Sequence, residues 1–181
     1  QATPDSDDWD PDLRGERKGR DPRHFKDMVR YMDKLVGKVV DKLDALQLRA
    51  NTMVLFVGDN GTNVNIRSQM RGKSIRGAKR FTTVHGTHVP MIVNWRNTID
   101  PAVCEDLVDS TDILPTVCDA AGVALRADLP VDGHSLMPQL LGQPHQPRDW
   151  IYCWYSPRGE PLQVFAMDQR FKLYRTGGLF D

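Results

Sequence analysis

The sequence lacks several features that would place it in well-known classes of protein. Its three cysteines, Cys104, Cys118 and Cys153, are too few and too scattered for a disulfide framework or for metal-site spacing. We expect them to be small, buried, apolar side chains. No Gly-rich phosphate loop and no dinucleotide fingerprint occurs. These absences exclude a disulfide-stabilised scaffold, a P-loop nucleotidase and a dinucleotide-binding domain.

Long apolar runs are also missing. No stretch approaches the roughly twenty apolar residues that a membrane helix needs. The first residues are polar and acidic, so no signal peptide is visible in this sequence. We therefore predict no membrane partner for the chain.

Acidic residues are absent from one central segment of this 181-residue chain. Its formal net charge is zero, yet no Asp or Glu occurs between Asn60 and Ile99. The neutral total argues against a general nucleic-acid binder, whereas the local excess of positive charge predicts an anion site. Arginine and aromatic residues do not alternate as a nucleic-acid platform requires. The cationic residues of this segment are Arg67, Arg71, Lys73, Arg76, Lys79, Arg80 and Arg96, with His85 and His88 beside them.

A short acidic and amide pair precedes this cationic segment. The apolar run Thr52–Gly58 predicts a central, parallel strand, and in such sheets ligands bind beyond the carboxyl ends of the strands. Asp59 and Asn60 follow directly, and their oxygens suit a hard cation such as calcium or magnesium. Asn60-Gly61 is also typical of a simple turn. Both interpretations stay open, but the cationic segment that follows favours a combined metal and anion site.

The segment from Thr62 to Thr87 is long for a loop, and such loops are usually functional or disordered. Within it, the ammonium of Lys79 could stabilise charge on a sulfate or phosphate oxygen in a transition state. The alternative is a solvated loop lysine. His85 and His88 could donate hydrogen bonds to an anion or serve a structural role, and for His85 we favour the structural role. His24 and His145 are predicted to be superficial.

The remaining elements follow from periodicity and turn residues. Gln1–Arg20 is predicted to be a surface arm. Asp21 and Pro22 predict the start of an amphipathic helix that ends near Leu48. The further predicted elements are a strand over Val89–Trp95, a short strand over Asp106–Asp109, a helix capped by Ser110–Asp112 and ended by Gly122, a turn at Asp132-Gly133, a short helix over Ser135–Leu141, and antiparallel strands over Ile151–Tyr155, Gln163–Met167 and Phe171–Tyr174.

Taken in order, these motifs resemble those of the sulfatase family, in the alkaline-phosphatase-like superfamily. The segment Gly58–Thr62 is similar to the motif whose Asp and Asn bind calcium, and Gly77–Lys79 to the segment whose Lys contacts the sulfate. The segment Gly86–Pro90, which contains His88, is similar to the stretch that leads into the next strand. The resemblance covers nearly the whole chain and extends to Tyr31–Gly37, Asp112–Thr116 and Phe171–Asp181.

This resemblance implies an α/β fold. Residues 1–148 would be the C-terminal part of a mostly parallel sheet with flanking helices, and residues 149–181 a small antiparallel subdomain that is cut short. It implies hydrolysis of sulfate esters, with sulfate esters of carbohydrates as the expected substrates. Calcium rather than magnesium would be held partly by Asp59 and Asn60, with Lys79 as the catalytic residue and Lys79 and His88 at the substrate. A periplasmic or secreted location is also implied.

Two motifs of the family are absent from the chain. One is Cys/Ser-x-Pro-x-Arg, whose Cys or Ser becomes the formylglycine nucleophile, and the other is the paired-Asp metal motif that lies near the N-terminus of family members. We therefore expect a C-terminal portion that is inactive alone and whose partner is the N-terminal half of the same protein. Two alternatives stay open: a phosphoesterase or phosphomutase of the same superfamily, and a non-catalytic domain that binds anions or glycans.

Overall fold

The fold is described from a computed structural model, which describes residues 1–13, 21–156, 159 and 161–181. They form two compact units, Gln1–Ile92 and Val93–Asp181. Residues 14–20 of the predicted surface arm lie outside the described part of the chain, and the predicted domain division at residue 148 stays a prediction. Among the described residues, no helix combines the length and the apolar character that crossing a membrane requires.

The predicted amphipathic helix is confirmed, with a shorter C-terminal end. A 3-10 turn over Pro22–His24 precedes it, and the carboxylate of Asp21 caps this turn by accepting a 2.9 Å hydrogen bond from the amide of Arg23. Helix α1 then covers Phe25–Ala45. It stops before the predicted end at Leu48 because Gln47 has a φ of 57°, which a right-handed helix cannot contain.

The first residues of the N-terminal arm contact helix α1. Within the first thirteen residues, Asp5 pairs with Lys34 of α1 at 2.6 Å. His24 is only 7% exposed, so its predicted superficial position is wrong. Its two ring nitrogens lie 3.5 Å from a carboxylate oxygen of Asp8 and 3.7 Å from one of Asp27. Polar contacts between the arm and the start of α1 therefore bury this histidine.

The apolar stripe of α1 stays accessible. The helix buries none of its residues, and Met32 and Val39 remain 43% and 58% exposed. In the described part of the chain, the buried apolar side chains are Leu136, Met137 and Phe165. A chain of 181 residues is long enough for a substantial core, but the largest amphipathic helix lacks a cover among the described residues.

Strand β1 covers Val54–Val57 and pairs with β4, Met91–Asn94, in a two-stranded sheet. The two predicted strands therefore exist, at slightly shorter lengths. Among the described residues, β1 has one neighbouring strand. The residues of β1 are half-buried or exposed. The central, doubly covered position predicted from its apolar sequence is not reached within this part of the chain.

The segment between these strands is not a structureless loop. Strands β2, Arg67–Met70, and β3, Lys73–Arg76, form an antiparallel hairpin. Its turn residues Arg71 and Gly72 have φ angles of 50° and 76°, the positive values of a type I′ turn, whose twist matches that of a hairpin. A short helix, α2, follows over Val84–Thr87.

The second unit begins with a short helical region whose cap differs from the prediction. A 3-10 turn over Ser110–Asp112 leads into α3, Ile113–Ala120. Its cap is Asp109, whose carboxylate accepts a 2.9 Å hydrogen bond from the amide of Thr111, while Asp112 accepts one of 2.8 Å from the amide of Asp109. The prediction placed the cap one residue too far along the chain, because Asp109 and Asp112 form a reciprocal capping box.

Two smaller predictions for this unit need correction, and a third is confirmed. The strand expected over Asp106–Asp109 is reduced to an isolated bridge between Leu107 and Arg148. No turn forms at Asp132-Gly133; a Cβ at Gly133 would lie 2.0 Å from the carbonyl oxygen of Thr111, so the glycine permits a close backbone contact. The predicted short helix is present as α4, Met137–Leu140.

The C-terminal strands match their predictions closely. Strands β5 to β8 form one antiparallel sheet in chain order, with Phe165 of β6 only 2% exposed. Cys153 of β5 is half-buried, and burial raises the pKa of its thiol. Cys104 is exposed, so its expected burial is wrong. The strands cover Ile151–Tyr155, Gln163–Met167, Lys172–Tyr174 and Leu179–Phe180.

Candidate metal and anion site

The end of β1 carries two exposed oxygen-bearing side chains. The amide of Gly58 donates a 2.9 Å hydrogen bond to the carbonyl of Pro90, which fixes the strand end beside the segment that leads into β4. Asp59 and Asn60 follow and are exposed. The side-chain amide of Asn60 donates to Oδ2 of Asp59. The other carboxylate oxygen and the amide oxygen have no hydrogen-bond partner among the described residues, so both are available to a ligand.

A second segment, around α2, lies directly against this strand end. The amide of Gly61 donates a 2.9 Å hydrogen bond to the carbonyl of Gly86. A Cβ at Gly61 would lie 2.1 Å from the carbonyl oxygen of His85, and a Cβ at Gly86 would lie 2.0 Å from that of Phe81. Since real Cβ atoms do not approach oxygen so closely, both positions require glycine.

A third segment, which contains Lys79, contacts the residues that follow Asn60. The amide of Lys79 donates a 2.9 Å hydrogen bond to the carbonyl of Thr62, two residues after Asn60 and therefore at most about 7 Å along the chain from it. A Cβ at Gly77 would lie 2.2 Å from the carbonyl oxygen of Asn63, so this contact too requires glycine. Lys79 is exposed, and its ammonium has no partner in the described part of the chain.

His88 follows α2 and lies on the segment that contacts Gly61. Its amide donates a 2.8 Å hydrogen bond to the carbonyl of Val84, which closes the short helix. The imidazoles of His85 and His88 are exposed and make no described hydrogen bond. The structure thus brings the backbone segments of Asp59, Asn60, Lys79 and His88 together, whereas the roles of these side chains stay predictions.

The surroundings of this site are cationic. Among the described residues, the side chains of Arg67, Arg71, Lys73 and Arg80 form no ion pair, and the guanidinium of Arg76 donates from Nε to the carbonyl of Val64 at 2.8 Å. No carboxylate lies between residues 60 and 99 to neutralise them. An approaching anion would therefore experience an attractive field before it contacts Lys79.

The donor set at the strand end fits part of a calcium shell. Calcium takes six to eight oxygen ligands, of which Asp59 and Asn60 supply two of the right chemistry. Across the described residues, no group of three or more His, Cys, Asp or Glu side chains is placed to hold a metal ion. A complete site would need ligands from beyond these residues.

A separate polar cluster in the second unit was missed. Its centre is Oδ2 of Asp106, which lies 2.9 Å from Nε2 of His145, 3.2 Å from the side-chain nitrogen of Gln139 and 3.4 Å from the sulfur of Cys104. The carbonyl of Gln143, 3.0 Å from the other ring nitrogen, and then Asp106 raise the pKa of His145. His145 is exposed, as predicted, and its imidazole contacts both Asp106 and Gln143.

Comparison with known proteins identifies the family. Residues 2–123 match the sequence model of the family described as Sulfatase. The chain is 34% identical to human arylsulfatase A over 154 residues, which cover 84% of the chain and 30% of that enzyme. It is 33% identical to the uncharacterized sulfatase YdeN of Escherichia coli (strain K12) over 141 residues, which cover 74% of the chain and 25% of that protein. The chain belongs to the sulfatase family.

Solved structures show the same fold. The crystal structure of Ps i-CgsB in complex with k-i-k-neocarrahexaose matches 99% of this chain and 40% of its own, with a TM-score of 0.69 at 23% identity. A protein solved with its substrate D-glucosamine-2-N,6-O-disulfate matches 83% of this chain and 31% of its own, with a TM-score of 0.62 at 22% identity. The predicted alkaline-phosphatase-like α/β fold is confirmed. The chain spans between 25% and 40% of the lengths of these four proteins.

Proposed function

We propose that this chain supplies one side of a sulfate-ester hydrolysis site, within a longer sulfatase. The observation that carries the proposal is the hydrogen bond between Lys79 and Thr62, which fixes the lysine segment beside Asp59 and Asn60. Backbone contacts at Gly61, Gly77 and Gly86 support it, because they require the segments to pack together. A carboxylate, an amide and an ammonium are thereby held on neighbouring segments.

The residues of this chain would act mainly by electrostatics. The ammonium of Lys79 would contact a sulfate oxygen and neutralise charge that develops as the ester bond breaks. His88 would donate a hydrogen bond to the same group. Asp59 and Asn60 would hold calcium, which as a Lewis acid polarises sulfate oxygens when it is bound. The formylglycine nucleophile would come from outside this chain, whose sequence lacks the precursor motif.

Sulfated carbohydrate is the substrate class that we propose. Two of the structural neighbours were solved with carbohydrate ligands, one with a disulfated glucosamine and the other with a neocarrahexaose. A cationic, exposed surface next to Lys79 suits a substrate that carries several negative charges. The identity of the sugar depends on residues of the parent enzyme that lie elsewhere.

The exposed apolar stripe of α1 supports the proposal that this helix packs against a partner, namely the remainder of the same sulfatase polypeptide. No residue of α1 is buried, although its apolar residues recur at helical spacing. The relatives are three to four times longer than the part that this chain matches. In a protein that includes the remaining sulfatase sequence, α1 amides should exchange with solvent more slowly than in this chain alone. Equal exchange rates would contradict this packing.

The catalytic proposal is tested by Lys79→Ala in a full-length protein that contains this chain. We expect kcat for a sulfate ester to fall by roughly 10²- to 10³-fold, as when a charge-stabilising donor is removed from other active sites. Lys73→Ala is the matched control, since Lys73 is an exposed lysine of the same segment on the hairpin. Unchanged turnover with Lys79→Ala would refute the role of this residue.

The metal proposal has its own test. Asp59→Asn should increase the calcium concentration that gives half-maximal binding, measured by calorimetry on the same full-length protein. Asp41→Asn, on the exposed side of α1, is the control with the same loss of charge. If both variants bind calcium as the unmodified protein does, Asp59 is not a calcium ligand.

A further inference from the structure

The hairpin β2–β3 has one fully polar face. In its antiparallel register, Arg67 lies opposite Arg76, and Gln69 lies opposite Ser74. Opposed residues of an antiparallel pair share a face, and so do residues two positions apart along a strand. These four side chains therefore lie on the same side of the hairpin, and all four are exposed.

The two arginines form a like-charged pair that the described residues do not neutralise. Directly opposed residues have Cβ atoms about 5 Å apart, and like charges in this arrangement are destabilising. Arg76 has its Nε hydrogen-bonded to the carbonyl of Val64, which orients its guanidinium. Arg67 makes no described hydrogen bond or ion pair. A bound anion would remove the repulsion, so the pair is suited to binding one.

The position of this pair relative to Lys79 is fixed by the backbone. The amide of Gly77 donates a 2.9 Å hydrogen bond to the carbonyl of Ile66, which closes the base of the hairpin immediately beside Arg67 and Arg76. Arg76 precedes Lys79 by three residues, so their Cα atoms are at most about 11 Å apart. The hairpin base and the lysine segment are thus continuous and near one another.

We propose that Arg67 and Arg76 form a second anion subsite, which binds another sulfate group of a polysulfated glycan whose reacting ester lies at Lys79. This inference rests on the proposed function and extends it to substrate selection. Guanidinium groups bind oxyanions through parallel N–H donors, and Gln69 and Ser74 supply neutral donors on the same face. The subsite would act in binding, with no part in the chemical step.

Substrate comparison tests the subsite in the full-length protein. Arg67→Gln should lower kcat/KM for a sulfated oligosaccharide with at least two sulfate groups by about tenfold, through KM, because one charged hydrogen-bonding partner is lost. The same variant should lower kcat/KM for an aryl monosulfate much less, because a monosulfate does not occupy the subsite and only the diffuse field around Lys79 weakens. Arg67→Lys should recover only part of the loss, since it keeps the charge without the planar donors.

Lys73→Gln is the matched control, because Lys73 lies on the other face of the hairpin, opposite Met70. It removes the same charge and should preserve most of the kcat/KM for the oligosaccharide. Equal losses with Lys73→Gln and Arg67→Gln would overturn the subsite in favour of a diffuse field. A parallel loss on the aryl monosulfate would also overturn it, since Arg67 would then act on the reacting group.

The outcomes separate this inference from the proposed function. If Lys79→Ala abolishes turnover but Arg67→Gln behaves as Lys73→Gln does, the subsite is wrong and the proposed function stands. If Lys79→Ala has no effect on any sulfate ester, the proposed function is wrong. Binding of the sulfated oligosaccharide to this 181-residue chain, measured by calorimetry, gives a readout without activity. If single-stranded DNA binds more tightly than the sulfated oligosaccharide and its binding depends on Arg67, the assignment to a glycan is overturned.

Discussion

The main-chain amide of Lys79 lies 2.9 Å from the carbonyl oxygen of Thr62 and donates a hydrogen bond to it. This contact connects the segment after the hairpin to the segment that follows β1. It involves no side chain, so its formation depends on how closely the two backbones approach. That approach depends on Gly77, where a Cβ would meet the carbonyl oxygens of Asn63 and Thr62 at 2.2 Å and 2.4 Å.

We predict that Gly77→Ala destabilises this arrangement, and that Gly86→Ala does the same. The added methyl group must displace backbone carbonyls, and overpacking of this kind typically costs about 1 to 3 kcal/mol of unfolding free energy. Urea unfolding measures the loss, and hydrogen exchange at the Lys79 amide shows whether it is local. In both Ala variants, this amide should exchange faster than in the unmodified chain.

Gly37→Ala is the control for these two substitutions. Gly37 lies inside α1, and no heavy atom outside its immediate surroundings lies within 4 Å of the position of an added Cβ. Alanine is favoured over glycine in a helix interior by up to about 1 kcal/mol, so this variant should be more stable. A Gly77→Ala variant as stable as Gly37→Ala would show that the two segments are not held in contact.

The second prediction concerns the buried carboxylate of Asp112. It is 1% exposed, accepts hydrogen bonds of 2.8 Å from the amides of Asp109 and His134, and pairs with Arg148. Asp112→Ala leaves two amides and a guanidinium without this partner, and breaking a buried pair costs about 3 to 5 kcal/mol. The measurement is the denaturant midpoint of the chain.

Asp128→Ala provides the comparison for Asp112→Ala. Asp128 pairs with Arg126 on the surface, where both side chains are more than half exposed. Exposed pairs contribute little to stability, so the unfolding midpoint should stay near that of the unmodified chain. Similar midpoints for the Asp112 and Asp128 variants would mean that the buried pair does not organise the second unit.

Local patterns made much of this fold predictable. The spacing of apolar residues located α1, and turn residues delimited β5, β6 and β7 almost to the residue. The order of the residues around Asp59 also placed Asp59 and Asn60 correctly at the end of a strand, while their role as metal ligands stays a prediction. These features depend on neighbours within a few positions, which is why periodicity is sufficient to find them.

Other features depend on contacts between residues far apart in the chain. The glycines that permit the segment contacts are Gly61, Gly77 and Gly86. The residues that each of them contacts cannot be inferred from their spacing in the sequence. The burial of His24 likewise depends on the arm folding against α1. The accessibility of α1 could not be predicted either. An amphipathic pattern predicts a covered face, but it does not identify what covers that face.

The third prediction is a pH dependence of stability that arises from His145 and Asp106. The carbonyl of Gln143 and the carboxylate of Asp106 raise the pKa of His145 above its ordinary 6.5. Hydrogen bonds from His145 and then Cys104 lower the pKa of Asp106 below its ordinary 3.8. The imidazolium and the carboxylate therefore stabilise each other when both are charged.

The sign of each contribution fixes the pH window. The contribution of His145 is complete below about pH 6.5, its unfolded pKa, and is lost as the pH rises through its higher folded pKa. That of Asp106 is present above about pH 3.8 and is lost as the pH falls through its lower folded pKa. The pair should therefore stabilise the chain most between about pH 4 and pH 6.5.

Urea midpoints of the unmodified chain and of His145→Gln, measured from pH 5 to pH 8.5, test this window. The difference between them should be largest near pH 5 and should shrink toward pH 8.5, because the neutral imidazole no longer attracts the carboxylate. Ser68→Ala changes an exposed side chain that does not titrate in this range, so its difference should stay constant. A difference for His145→Gln that is equally constant would show that the pair does not titrate as a charged couple.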